Sequence, residues 1–296
     1  MKKIFLIANP AAARASERSS RAIIEVLEKA GCELTVLTTS GPGDAVELCR
    51  DAARGDADVV SVFGGDGTVM EALEGLLDAH VPLAVIPGGT ANLLAGNLRI
   101  PNNPASAAQV IVEGRPRTID IGRLETTEVT RYFAVGAGAG YDAELMSGTS
   151  GKAKRRWGWA AYVSYVMRTA PSIRPIPFRV TVDGSCSELD AASVLVANCR
   201  ELMPGILSLG QEVALDDGHF DTFILKAHGL LESAALVMQL MRQKVRETEQ
   251  VRRLRGREVR VECDTPQPVE CDGDVVGTTP FTATIIPGGR TVMVPR

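Results

Sequence analysis

Hydrophobic and polar residues alternate in two different ways along the chain, and the first way covers residues 1–116. There, apolar runs at residues 3–8 and 33–38 predict buried strands, and amphipathic segments at residues 16–30 and 44–54 predict helices. Strands that alternate with helices of this length are typical of parallel βαβ units. The pattern therefore predicts an α/β domain built on a parallel sheet.

The second way begins at residue 117, where short alternating runs are separated by turn residues. Runs such as residues 178–182 and 258–263 are typical of antiparallel strands. We therefore predict two domains, an α/β N-terminal domain of residues 1–116 and a mostly antiparallel β-sandwich C-terminal domain of residues 117–296.

Two glycine-rich loops end apolar runs in the first domain. Gly64-Gly65-Asp66-Gly67-Thr68 follows residues 58–63, and Pro87-Gly88-Gly89-Thr90-Ala91-Asn92 follows residues 83–86. Either loop alone could be an ordinary strand-to-helix turn, since glycine and aspartate are common turn residues. Two such loops at the carboxyl edge of one parallel sheet indicate a phosphate site, and Asp66 indicates a nucleotide that carries Mg²⁺. The first domain is thus predicted to bind a nucleotide.

Composition and charge limit the partners and the cellular compartment that the chain suits. The 296 residues carry a net charge of −4, which argues against nucleic acid as the main partner. The scattered cysteines form no Cys-x-x-Cys pair, so we interpret them as reduced thiols of a cytoplasmic protein. Residues 1–8 superficially resemble a secretory signal, but the apolar stretch is short and a first buried strand is the better interpretation. No stretch reaches the roughly 18 apolar residues of a membrane-spanning helix.

A series of motifs carries a resemblance to one family. In chain order they are Asn9-Pro10, Thr39 with Gly43-Asp44-Ala45, Gly64 to Thr68 with Glu71, Pro87 to Asn92, Gly138 to Ala143, Asp217-Gly218 with Asp221, and Asp272-Gly273-Asp274. This ordered set resembles the soluble diacylglycerol-kinase-like lipid kinases, which include sphingosine and ceramide kinases and are distantly related to NAD kinases. The resemblance covers nearly the whole chain. It implies an ATP site between the domains, Mg²⁺, and a membrane lipid as phosphate acceptor.

The resemblance also implies roles for individual positions in nucleotide and metal binding. Asp66 would hold magnesium near the transferring phosphate. Asp217, with the main-chain oxygens of Ala214 and His219, would bind a second, structural magnesium ion. The nucleotide-binding positions that it implies are Asn9, Pro10, Ala11, Ala12, Ala13, Thr39, Gly64, Gly65, Asp66, Gly67, Thr68, Val69, Met70, Thr90 and Asn92.

Asp272 and Asp274 resemble the motif that supplies the family's catalytic carboxylates. Phosphorylating an alcohol requires removal of its proton, which suits a positioned carboxylate. We favour Asp272 as the general base, with Asp274 orienting it or binding metal through water. Asp272-Gly273 also predicts a type I′ hairpin turn, and a turn that is not catalytic is the alternative. Both interpretations can hold together.

The sequence departs from the family pattern at three places. Ala12 and Ala13 stand where serine and glycine are usual, Leu93 follows Asn92 where many bacterial relatives have aspartate, and Asp274 replaces glutamate. These departures weaken the case for diacylglycerol in particular more than the case for lipid phosphorylation. A ceramide or sphingoid base is the next candidate acceptor. An NAD kinase-like enzyme and a catalytically silent nucleotide- or lipid-binding protein remain the alternative functions.

Basic and aromatic residues are concentrated between Lys152 and Arg168. A predicted helix at about residues 156–169 would carry Trp157 and Trp159 behind this basic edge, as expected for peripheral contact with an anionic membrane. A buried core helix is the alternative. We thus expect a cytoplasmic protein that meets the membrane peripherally during turnover, and a homodimer is possible. A further helix is predicted at residues 230–245.

Overall fold

A computed structural model describes residues 1–140, 174–242, 245 and 247–296. The described chain forms two compact units. The first unit contains residues 1–119 and 288–296, and the second contains residues 120–287. The domain division predicted between residues 116 and 117 stays a prediction, and the structure adds that the end of the chain clusters with its beginning.

The first unit is an α/β fold. Its parallel sheet has the order β2-β1-β3-β4, and the end of the last strand, β18, joins beside β4, where Val292 pairs in parallel with Leu83. The elements are β1 Lys3–Ala8, α1 Glu17–Lys29, β2 Glu33–Thr38, α2 Asp44–Arg54, β3 Val59–Gly64, α3 Asp66–Gly75, β4 Leu83–Pro87, α4 Leu93–Asn97 and α5 Pro104–Glu113, with β18 Phe281–Val294 shared with the second unit.

Local sequence explains where these elements start. Ser16 accepts a hydrogen bond from the amide of Ser19 and caps α1, and Asn103 caps α5 in the same way ahead of Pro104. Every residue of β3 and β4 is buried, as expected for central strands of a parallel sheet. The phosphate loop predicted at Gly64 to Met70 is largely helical, because α3 begins at Asp66.

The second unit is a β-sandwich. One sheet has six antiparallel strands in the order β14-β13-β10-β7-β16-β17, and the other contains β18-β15-β8-β9 with β5 and β6. The elements are β5 Arg115–Thr126, β6 Thr130–Phe133, β7 Gly136–Gly140, β8 Ile176–Val182, β9 Ser185–Ala191, β10 Ser193–Ala197, β11 Glu201–Met203, β12 Leu207–Ser208, β13 Phe220–Leu225, α6 Gly229–Met241, β14 Val251–Gly256, β15 Glu258–Cys263, β16 Pro268–Cys271 and β17 Asp274–Thr278.

Apolar side chains of both sheets form the core of the second unit. Phe178 and Val261 from one sheet and Val194 and Phe220 from the other belong to a single buried cluster, which confirms the predicted sandwich. On β7, a Cβ atom at Gly138 would lie 2.9 Å from the main-chain oxygen of Val194 on β10. Glycine therefore permits the close approach of these two strands.

Two predictions about helices can be compared with the structure. The helix predicted at residues 230–245 is α6, which ends at Met241. The helix predicted at residues 156–169, with the basic and aromatic segment that contains it, lies outside the described residues. Among the residues described, no helix is long and apolar enough to cross a membrane.

Candidate active site

A cavity of about 460 Å³ opens beside the glycine-rich loops of the first unit. The sequence-predicted nucleotide residues that line it are Asn9, Pro10, Ala11, Ala12, Ala13, Thr39, Gly65, Gly67, Thr68 and Thr90, and the predicted residues Gly64, Asp66, Val69, Met70 and Asn92 do not line it. Residues that the prediction left out also line it, namely Ser40, Gly41, Pro42, Glu71 and Gly89. The structure thus brings the first loop, both glycine loops and the end of β2 together around one space.

Asn9 fixes the first loop against the start of α3. Its side-chain oxygen accepts a hydrogen bond from the amide of Ala11 at 2.9 Å, and its Nδ2 donates to the hydroxyl of Thr68 at 2.8 Å. Its own amide donates to the carbonyl of Phe63 at 2.9 Å. Asn9 therefore holds the loop in place even though alanine occupies positions 11–13.

The N-terminus of α3 faces the cavity without a side-chain cap. Gly65 is the N-cap residue in an extended conformation, and it has no side chain to accept hydrogen bonds from the first turn. The amides at the start of a helix carry partial positive charge and suit an anion. Gly64 allows the tight approach here, because a Cβ atom on it would lie 2.6 Å from the Cβ of Thr68.

Asp66 links the two glycine loops. Its Oδ2 accepts a hydrogen bond from the amide of Asn92 at 2.9 Å, and its Oδ1 accepts one from the amide of Leu93 at 2.6 Å. The carboxylate thus binds the first turn of α4. The metal-holding role predicted for Asp66 stays a prediction alongside this linking role.

Asn92 shapes the second glycine loop from within. It is 6% exposed and adopts a left-handed conformation with φ 50°. Its side chain accepts from the amide of Gly89 at 2.8 Å and donates to the carbonyl of the same residue at 2.9 Å. A Cβ atom on Gly89 would lie 2.7 Å from the Cα of Gly65, so the two glycine loops pack closely.

Asp272 and Gly273 form the tip of the hairpin between β16 and β17. Their φ angles are 46° and 92°, and Cys271 pairs with Asp274 across the turn. Two central residues with positive φ are the requirement of a type I′ turn, so the turn predicted from Asp-Gly is present.

The Asp272 carboxylate points into the second unit. Its Oδ2 accepts a hydrogen bond from the amide of Ala134 at 2.9 Å, while Oδ1 accepts from Val135 at 3.0 Å and from Gly136 at 2.8 Å. The residue is 8% exposed, whereas Asp274 is exposed. The two oxygens of this buried carboxylate thus accept three main-chain hydrogen bonds between them.

A second carboxylate supports this hairpin. Glu270 is 5% exposed, and its Oε2 accepts a hydrogen bond from the amide of Gly273 at 2.9 Å. Between the two carboxylates, burial raises the pKa of the Cys271 thiol well above its ordinary value, and the negative charges of Asp272 and Glu270 add to this rise. Cys271 is therefore an inert core thiol.

The residues predicted for a structural magnesium site lie in the loop before β13. Arg255 pairs with Oδ2 of Asp217 at 2.8 Å, and the amide of His219 donates to Oδ1 of the same carboxylate at 3.1 Å. Asp120, which the sequence analysis did not single out, accepts from the amide of Gly218 at 2.6 Å. In the described part of the chain no three acidic, histidine or cysteine side chains form a metal-binding group. The predicted site combines one carboxylate with two main-chain oxygens, and the ion it would hold stays a prediction.

Comparison with known proteins identifies the family. Residues 3–124 match the diacylglycerol kinase catalytic domain, and residues 135–294 match the YegS C-terminal NAD kinase beta sandwich-like domain. A diacylglycerol kinase of Bacillus subtilis is 31% identical over 284 residues, which cover 95% of this chain and 92% of the relative. This chain belongs to the diacylglycerol kinase family. The resemblance drawn from the motifs is thereby confirmed.

Other members of the diacylglycerol kinase family agree over the full length. A diacylglycerol kinase of Mycobacterium tuberculosis is 28% identical over 299 residues, covering 99% of this chain and 96% of the relative. The crystal structure of a putative diacylglycerol kinase from Bacillus anthracis superposes with a TM-score of 0.85 at 28% identity, covering 99% of this chain and 97% of that one. The α/β unit and the antiparallel unit described above are thus those of the family.

Proposed function

We propose that this protein is an ATP-dependent lipid kinase that transfers the γ-phosphate of ATP to the hydroxyl of a membrane lipid. The relatives are named diacylglycerol kinases, so diacylglycerol is the first candidate acceptor and ceramide or a sphingoid base the second. The observation that carries the proposal is the uncapped N-terminus of α3 beside a cavity of about 460 Å³. That combination suits the phosphates of a nucleotide.

The proposed chemistry assigns the proton to Asp272. The lipid hydroxyl gives its proton to the Asp272 carboxylate while its oxygen forms a bond to the γ-phosphorus and the bond from that phosphorus to the ADP oxygen breaks. Three main-chain amides hold the carboxylate in one orientation, which suits a base that must meet a single hydroxyl. From its exposed position, Asp274 would orient Asp272 or bind metal through water.

Mg²⁺ is part of the proposal as the ion that accompanies ATP and offsets charge on its phosphates. Asp66 is the first residue of α3, the helix whose N-terminus has no side-chain cap, and it is the carboxylate proposed to hold this ion. Peripheral membrane contact through the segment from Lys152 to Arg168 also stays a proposal.

A single assay tests the proposed function. The protein is incubated with γ-labelled ATP and vesicles that contain diacylglycerol, ceramide or sphingosine separately, and labelled lipid is separated from labelled phosphate. We expect one lipid to be phosphorylated in proportion to ADP released. Phosphorylated NAD in a parallel reaction would favour the NAD kinase alternative. ATP binding without any labelled acceptor would favour a silent binding protein.

A further inference from the structure

Two helices begin at the nucleotide cavity, and their N-termini differ. As described above, the first turn of α3 has no side-chain cap. The N-terminus of α2 is instead covered by a carboxylate from α3, since Oε1 of Glu71 accepts from the amide of Gly43 at 2.8 Å and Oε2 accepts from the amide of Ala45 at 3.2 Å. A carboxylate at this place offsets the partial positive charge of the helix start.

The loop that leads into α2 has its other amides occupied as well. Oδ2 of Asp44 accepts from the amide of Ser40 at 2.6 Å and from the amide of Gly41 at 3.1 Å. The amide of Thr39 donates to the carbonyl of Ala8 at 3.0 Å. This wall of the cavity therefore offers hydroxyl groups and carbon atoms to a ligand, while main-chain donors for phosphate lie at a second wall, formed by the start of α3.

Glu71 connects the two walls directly. It belongs to α3, the helix whose start faces the cavity, and it lines the cavity itself. Its hydrogen bonds end on the residues that begin α2, directly after the wall of residues 39–42. Glu71 thus ties the residues that follow this wall to the helix whose N-terminus has no side-chain cap.

We propose that Glu71 is a positioning residue of the nucleotide site: it fixes the wall of residues 39–42 against α3 and keeps the α2 N-terminus from competing for phosphate. The nucleoside then lies against residues 39–42 while the triphosphate lies at the α3 N-terminus. This inference rests on the proposed nucleotide site and adds how that site is held and which way the nucleotide lies.

The test compares ATP with inorganic pyrophosphate, which lacks the nucleoside. Glu71→Gln keeps the size of the side chain and one acceptor oxygen but loses the charge and one of the two hydrogen bonds. We expect calorimetry without lipid to show ATP binding weakened about tenfold, a change of roughly 1.4 kcal/mol, and pyrophosphate binding weakened less than about threefold. Glu74→Gln, three residues along the same helix and outside the cavity lining, is the matched control and should bind both ligands like the wild type.

A selective loss of ATP binding is the decisive result, because a merely structural fault would weaken the binding of ATP and pyrophosphate together. Equal weakening of ATP and pyrophosphate, or unchanged ATP binding in Glu71→Gln, would overturn the proposal. If Glu71→Gln lowers the melting temperature so far that it is unfolded at the assay temperature, Glu71→Asp, which keeps the charge but shortens the reach by one methylene, should show the same selective loss. Since no lipid is present, failure to phosphorylate any lipid leaves this result unaffected, whereas wild-type protein that binds pyrophosphate but not ATP overturns both proposals.

Discussion

Asp66 and Asp272 each combine a proposed chemical role with main-chain hydrogen bonds that hold a loop. Asp66 binds the amides of Asn92 and Leu93, and Asp272 binds three successive amides that begin at Ala134. Sequence motifs identified both carboxylates. They could not give the hydrogen bonds, because the partner amides lie 26 residues away in one case and up to 138 in the other.

Replacing Asp272 with asparagine should therefore have two effects. Loss of the basic oxygen should lower turnover about 100- to 10,000-fold. The Nδ2 group would also face a main-chain amide, which leaves a buried donor unpaired and costs about 1–3 kcal/mol of stability. Steady-state turnover at a temperature well below the melting point separates the two effects.

Asp274→Asn and Asp274→Glu complete the test of the hairpin. Because Asp274 is exposed, neither change should alter the melting temperature, and Asp274→Asn should reduce turnover less than Asp272→Asn does. An inactive Asp274→Asn beside an active Asp272→Asn would move the base to Asp274. Full activity in both would leave Asp272-Gly273 as a turn alone.

Asp66→Ala should abolish turnover that depends on magnesium, since no neighbouring carboxylate in the loop replaces it. Asp66→Asn can keep the hydrogen bond to one of the two α4 amides, so it should retain more stability than Asp66→Ala. Thermal unfolding and ATP turnover measured on both variants distinguish the linking role from the metal role. Asp78→Asn, which removes a carboxylate at an exposed position, is the control. Near-normal activity in folded Asp66→Ala would reject the metal-holding role of Asp66.

At the scale of elements, periodicity predicted most of the first unit and less of the second. Strands β1 and β2 and helix α2 have the predicted bounds, because long periodic segments between clear turn signals are easy to recognise. Helix α3 contains Gly67 in its first turn, although glycine disfavours helix. It begins at Asp66 because the close packing of the two glycine loops outweighs that local preference.

The second unit was harder because its strands are short and half-exposed. Strand β9 alternates exposed and partly buried residues, and β17 has no fully buried residue, so neither carries the apolar pattern of a strand.

The lining of the cavity in the first unit could not be predicted in full either, because part of it has no recognisable sequence pattern. Ser40, Gly41 and Pro42 have no distinctive motif, and they line the cavity because Asp44 and Glu71 hold their loop there.

The junction of β3 and α3 gives a prediction at this scale. Gly64→Ala would place a Cβ atom 2.6 Å from the Cβ of Thr68, and we expect a loss of about 1–3 kcal/mol of stability from this overlap. Gly67→Ala is the matched control, because a Cβ atom there meets nothing within 4 Å and alanine favours helix. Thermal unfolding should show opposite shifts for the two variants; a Gly64→Ala protein as stable as Gly67→Ala would contradict the packing argument.

At the scale of the whole molecule, the end of the chain completes the first unit. Arg290 on β18 is 2% exposed and donates to the carbonyls of Leu76 and Val81 and, at 2.9 Å, to that of Ala79. Burial lowers the pKa of this guanidinium from its ordinary value. Three carbonyl oxygens after α3 are thus paired by a residue more than 200 positions later in the chain.

Arg290→Met should destabilise the first unit by at least about 2 kcal/mol, because methionine fills similar space but leaves the three carbonyls without this donor. Arg296→Met removes a charge from an exposed position and should change stability by less than about 0.5 kcal/mol. Chemical denaturation, with the loss of ATP binding as its signal, measures the stability of the first unit in each variant. Equal stability of the two variants would show that the buried arginine is dispensable.

The return of β18 to the first unit also bears on how the protein is made. Residues 288–296 are synthesised after the whole of the second unit, yet they belong with residues 1–119. During synthesis the N-terminal segment therefore waits for its final strand until the sandwich sequence has emerged. A product that ended within the second unit would lack both the strand beside β4 and Arg290, so the first unit depends on residues that are made after the sandwich.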